Sequence, residues 1–212
     1  MTLILDLLPP LLRGLRMTLF LSSVVWLISI PLSVLTAFLR MSRSPVLSNL
    51  TKAYIYVMKG TPLLLQLFFV YFGLPYLGIA IERLLACFVA FILNYTAYFA
   101  EIVRGGLQSI DRGQIEAAKV LGIRRTQRFF YIILPQLTKI VLPSIANESA
   151  TLIKDSSLIY VIGVGELLRA GKIAVNTLAS IIPFLLVALI YLIVITIVNI
   201  AFDAFEKRFS YY

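Results

Sequence analysis

A small set of polar side chains stands inside runs of sequence that are otherwise apolar. Asn94, Tyr98 and Glu101 are spaced i, i+4, i+7 and share one helix face. Ser144, Asn147, Glu148, Thr151 and Asp155 fall on a single stripe spanning roughly 100° of a second helix, with Lys154 at its margin. Asn94, Tyr98, Asn147, Glu148 and Thr151 together offer a carboxylate, two amides and two hydroxyls. Such a set both donates and accepts, as the two ends of a zwitterion require. A charge at the centre of a membrane helix costs about 2.5–3.5 kcal/mol on insertion scales, so Glu148 is expected to face protein or a water-filled cavity. Its carboxylate suits an amino group or a cationic side chain. Hydrogen bonding between helices, at about 0.6 kcal/mol per contact, is an equal alternative for Asn94 and Thr151. Lys154 and Asp155 lie about 100° apart on the helix and read first as interfacial anchors or ion pairs between subunits.

Other chemistries are excluded by what is missing. The chain has no histidine and one cysteine, Cys87, inside an apolar run. Histidine-based catalytic triads, Cys/His metal sites and disulfides within the chain are therefore ruled out. Expectations are no metal, no cofactor and no catalytic residue. A phosphate-binding loop of the glycine-rich, Gly-Lys-Ser/Thr type is also absent, so any ATP hydrolysis belongs to another polypeptide. A membrane enzyme, which would need a base or nucleophile clustered at the interface, fits poorly. A passive channel or structural membrane protein is the other alternative.

The elements that must carry these residues are membrane helices. Of 212 residues, 60% are apolar and 14% charged, and mean hydropathy is +0.96. Soluble domains run nearer half apolar and a quarter charged. The net charge of +9 is spread along the flanks of apolar runs, which points to topology and lipid contact rather than nucleic acid. The fold class expected is an all-α integral membrane protein of about five transmembrane helices, a single domain over residues 1–212. Spans are predicted near 17–39, 54–78, 84–103, 138–160 and 180–204. Residues 3–15 read as an interfacial amphipathic segment rather than a cleavable signal, and 41–52 as a polar link. Lys59-Gly60-Thr61-Pro62 should break the second span, because Pro62 has no N–H to donate. Residues 163–178 are too polar to cross. Phe68, Phe69, Tyr71 and Phe72 read as a lipid or packing surface.

The polar stretch at about 104–135 is the longest interruption. Asp111 and Gln114 can cap a helix over about 112–121, and Gly122 can end it. Arg112 and Glu116 are one turn apart and can pair with each other or with a partner. A second helix, about 124–134, carries three arginines and then three aromatics, and is expected to lie at the membrane face and stop at Pro135. Arg40, Arg43, Lys52 and Lys59 fall on the same side as the loop's basic residues, Arg104, Arg112, Lys119, Arg124, Arg125, Arg128 and Lys139. By the positive-inside rule the loop and C-terminus are cytoplasmic and the N-terminus is outside.

Glu116-Ala117-Ala118, Gly122 and Ile132-Ile133-Leu134-Pro135 are spaced as in the signature loop of permease subunits of ATP-binding-cassette importers. AYFAEIVRGGLQSIDRGQIEAAKVLG (97–122), KGTPLLLQLFF (59–69) and LIKDSSLIYVIGVGEL (152–167) resemble recurring segments of the subgroup that imports polar amino acids into bacteria. The likeness runs from the first span to the fifth; Lys59 stands where the family often has arginine. It implies a non-catalytic subunit in the bacterial inner membrane, translocating a polar amino acid (basic, if Glu148 is the guide) by alternating access. It implies that Glu116, Ala117, Ala118 and Gly122, with Arg112 beside them, form a coupling helix. Implied partners are separate ATPase subunits, an external amino-acid-binding protein and a second permease chain, identical or homologous.

Overall fold

In lipid every backbone polar group must be satisfied within the segment, which leaves long helices as the only solution for apolar runs of this length. The protein was analysed as a computed structural model that describes the backbone of residues 2–209 and the side chains of residues 7–208; these residues form helices and turns with no strand. Helix α1, Thr2–Arg40, is one unbroken 39-residue helix with Pro9, Pro10 and Pro31 inside it. The expected interfacial segment and the first span are thus one continuous helix, apolar enough to cross from Leu7 to Arg40. A helix surrounded by apolar material gains nothing by unwinding, so prolines are tolerated there. The part of the proposed interfacial segment before Leu7 has side chains outside the described residues.

Helix α2 spans Pro45–Gly60 and starts on proline, a favoured first position because its missing N–H is unneeded there. Most of the expected polar link is thus helical. Thr61 and Pro62 are extended, and α3, Leu63–Phe68, continues through a π turn at Phe69–Gly73 and a 3₁₀ turn at Leu74–Leu77. The two halves, Pro45–Gly60 and Leu63–Leu77, meet at 105°. The break falls where the chain chemistry puts it, since proline disfavours helical backbone at the residue before it.

Helix α4 runs Arg83–Ser109, and α5, Arg112–Val120, forms the loop helix. Helix α6, Arg125–Arg128, passes through a π turn at Phe129–Ile133 directly into α7, Leu134–Asp155, which ends in a 3₁₀ turn to Ile162. The helix expected to stop at Pro135 does not stop. The π turn widens the backbone ahead of the proline, which removes the clash and the lost hydrogen bond that would otherwise end a helix. Helix α8, Leu167–Leu178, is too short to cross, and α9, Ile182–Phe209, is a long apolar span. Four helices are long and apolar enough to cross, and the bent α2–α3 pair makes a fifth.

Packing fixes which ends lie together. Ala37, Val103, Ile110, Leu137 and Val141 cluster at the loop end, so α1 and α4 run parallel. Leu11, Leu167, Ala174 and Val187 cluster at the opposite end. There α8 is capped by the fully buried Glu166, whose carboxylate accepts from the N–H groups of Leu168 and Arg169, both at 2.6 Å. Gly14 lets α1 approach this cap; a Cβ on it would lie 2.8 Å from the Glu166 carbonyl oxygen. Between the two ends Leu21, Val25, Leu67, Phe91 and Tyr95 fill the core. Trp26 Nε1 donates to Ser149 Oγ at 2.9 Å and ties α1 to α7.

Candidate functional site

The break between α2 and α3 leaves backbone carbonyls without helical partners, and one side chain satisfies them. Gln66 Nε2 donates to Met58 O (2.9 Å), Thr61 O (3.2 Å) and Thr61 Oγ1 (2.8 Å). Its carbonyl oxygen accepts from Asn94 Nδ2 at 3.0 Å, and the same nitrogen also donates to Met58 O at 3.0 Å. Asn94, 4% exposed, therefore pins the elbow to α4 with its amide nitrogen.

The elbow, α4 and α7 enclose a cavity of about 570 Å³. Asn94 and Tyr98 line it from α4, and Glu148, Thr151 and Asp155 from α7. Lys59, Gly60 and Thr61 line it from the elbow. Four of the five side chains singled out in the sequence thus meet around one space. Asn147 does not: it is exposed, one residue round α7 from the lining face. Glu101 lies outside as well, held by Arg104 through Nη2–Oε2 (2.6 Å) and Nε–Oε1 (2.9 Å).

Two charged lining residues were read otherwise in the sequence. Asp155, read in the sequence as an interfacial anchor or intersubunit ion pair, accepts from the buried Tyr95 hydroxyl at 2.8 Å and lines the cavity. Its neighbour Lys154 is exposed and points to another face. The stripe shared with Glu148, seven residues or two helical turns away, was the signal that outweighs the position of Asp155 near the end of the span. Lys59 is the other, its ammonium 5.3 Å from the Tyr98 ring centroid. Neither cavity carboxylate forms an ion pair with a described cation of the chain, although Lys59 shares the lining.

The loop is built by local bonds. Asp111 Oδ1 accepts from Gly113 N at 2.8 Å and starts α5. At its end Leu121 N donates to Ala117 O, Gly122 N to Lys119 O and Ile123 N to Ala118 O, all at 3.0 Å. Gly122 sits at φ 71°, the left-handed conformation that glycine adopts without penalty. Arg112, Glu116, Ala117 and Gly122 are exposed, whereas Ala118 is 3% exposed and packs into this chain. Val120 and Leu121 stand 88% and 76% exposed, an apolar edge that sequence reasoning did not mark.

Residues 29–211 match the family described as the binding-protein-dependent transport system inner membrane component. The chain belongs to that family. Within it, the chain is 38% identical over 205 residues to a probable amino-acid ABC transporter permease protein, YckA, of Bacillus subtilis (strain 168), covering 96% of this chain and 91% of that one. It is 37% identical over 205 residues to the arginine transport system permease protein ArtQ of the same organism, covering 94% and 92%. Among solved structures, a crystal structure of an amino acid ABC transporter with histidines superimposes with a TM-score of 0.89 at 33% identity, covering 97% and 96% of the two chains. The protein is thus a permease subunit of the amino-acid ABC transporter type, an all-α membrane component with four to five spans.

Proposed function

We propose that this permease subunit translocates a basic amino acid (arginine, lysine or histidine) through the elbow cavity. The observation that carries the reading is the pair of carboxylates, Glu148 and Asp155, lining one cavity with no ion-paired cation from the chain. Two part-buried carboxylates against one ammonium, that of Lys59, leave a negative charge to be offset, and a cationic side chain of the solute supplies the partner. Tyr98 and Thr151 offer hydroxyls, and Asn94 holds the wall in place. Asn147 lies on the exposed flank of α7, where a second permease chain, identical or homologous, would close the cavity.

The loop is the docking surface for a separate ATPase subunit. Arg112, Glu116 and Ala117 present the exposed face of α5, Gly122 the turn that ends it, Val120 and Leu121 an apolar edge, and Ala118 seats the helix on its own chain. An external binding protein delivers the solute, and ATP-driven closure of the ATPase pair drives alternating access. The loop and C-terminus are cytoplasmic, the N-terminus external, and the chain itself is non-catalytic.

Glu148→Gln tests the site. A charge-assisted hydrogen bond is worth about 1.5–3 kcal/mol, so uptake of lysine or arginine at saturating binding protein should fall about tenfold or more. Glutamine uptake should change little. Equal loss for charged and neutral solutes, or no loss for either, would overturn the cationic reading.

A further inference from the structure

The elbow borders a second space. A cavity of about 550 Å³ lies on the loop side of Lys59, Gly60 and Thr61, and the two cavities share those three residues. The second one is lined by Arg40, Lys52, Lys59 and Arg104, with Glu101 as its one carboxylate. Glu101 is already engaged in a two-bond pair with Arg104. Four cations against one carboxylate leave this lining strongly positive. Arg40 is fixed at the α1–α2 corner, its Nη1 donating to Ser48 Oγ at 2.9 Å and Ser48 Oγ donating back to the Arg40 carbonyl at 2.8 Å. The net sign of the lining thus inverts across one elbow, from Glu148 and Asp155 against Lys59 on one side to Arg40, Lys52, Lys59 and Arg104 against Glu101 on the other.

We propose that this basic vestibule is an electrostatic valve for cationic solutes. It opposes return of a cation from the loop side to Glu148 and Asp155, and leaves a neutral amino acid unaffected. The proposal rests on the basic-amino-acid reading above. Clefts lined by one sign of charge focus the field and set the encounter rate of ions, and like charges slow it. The same field lowers occupancy of the carboxylates from that side, so release is favoured and rebinding opposed, while net direction still comes from ATP. Lys59 stands on the boundary and Lys52 only in the vestibule, which makes Lys52 the cleaner probe.

The complete transporter, with its ATPase subunits and binding protein, is placed in vesicles with the loop side inward. The lumen is loaded with ATP and graded lysine or graded glutamine, and initial uptake of labelled lysine is measured for the parent, Lys52→Gln and Lys52→Glu. The half-inhibiting lumenal lysine concentration should fall stepwise along that charge series, about threefold or more for Lys52→Glu at low ionic strength. The difference should vanish near 1 M salt, where the screening length is about 3 Å. Inhibition by lumenal glutamine should be the same in all three. An unchanged lysine sensitivity in variants that import lysine overturns the valve and leaves the carboxylate site standing. Parallel shifts for lysine and glutamine overturn it too, because the effect is then not one of charge. A parent that takes up no lysine removes both readings together.

Discussion

At the elbow cavity the polar side chains are tied across long stretches of sequence: Asn94 to Gln66, Asn94 to Met58, Tyr95 to Asp155. In the loop the bonds are short-range, Asp111 to Gly113 and Ile123 to Ala118, with Gln136 donating to Gln114 (2.7 Å) as the link to α7. The first arrangement makes cavity geometry part of the stability of the whole bundle. The second lets α5 form, fray or be gripped with little consequence for the membrane helices. A pump needs both, because a mobile handle is useful only if the site it works on keeps its shape.

The comparison breaks most sharply at the handle. Ala117→Trp places bulk on the exposed face of α5, and Gly122→Leu adds both bulk and a left-handed conformation that costs an L-residue roughly 1–2 kcal/mol. Both should insert and fold as the parent does yet lose solute-stimulated ATP hydrolysis at least tenfold in reconstituted vesicles. Gly122→Ala carries the strain without the bulk and should lose much less. Ala118→Trp is a different experiment, because that side chain points into the chain itself and its enlargement disrupts the seat of the helix. Full stimulated activity in Ala117→Trp and Gly122→Leu would show that partners grip some other surface.

The same contrast explains what was legible in the sequence. Local signals survive: Asp111 and Gly122 mark the ends of α5, Pro62 marks the break, and period 3.6 brings Asn94 to Tyr98 and Glu148 to Thr151. Signals that depend on a distant partner do not. Periodicity separates Lys154 from Asp155 by about 100° but does not say which faces inward; the Tyr95 hydroxyl, sixty residues away, decides it. Gln66 reads as one polar residue in an apolar run, since the carbonyls it satisfies exist only once the elbow has formed. Pro135 reads as a stop because a π turn upstream leaves no mark in composition.

A middle-sized effect separates the two regions at the level of stability. Gln66→Leu keeps the volume close to native but strips the elbow carbonyls and Asn94 of their shared partner. Each buried polar group left unsatisfied costs about 1–3 kcal/mol. The transporter purified in detergent should unfold several degrees lower, and uptake should fall with it. A Gln66→Leu protein as stable as the parent would mean that the elbow is held by packing of Leu63 and Leu67 alone, and the cavity would lose its claim to a polar scaffold.

The smallest effect sharpens the comparison from the other side. Asp111→Ala removes the N-cap of α5, a change worth about 0.5–2 kcal/mol in helix stability. Because Asp111 is exposed and bonds only to Gly113, that loss should stay inside the loop. Hydrogen exchange over residues 112–120 should speed up by roughly tenfold, following from about 1.4 kcal/mol. The thermal midpoint of the membrane helices should not move, and coupling should drop by a few-fold rather than vanish, because a partner's groove can refold the helix as it binds. Faster exchange spreading into α4 or α7, or a lowered midpoint, would mean that the handle and the site form one cooperative unit, and the division drawn between them would fail.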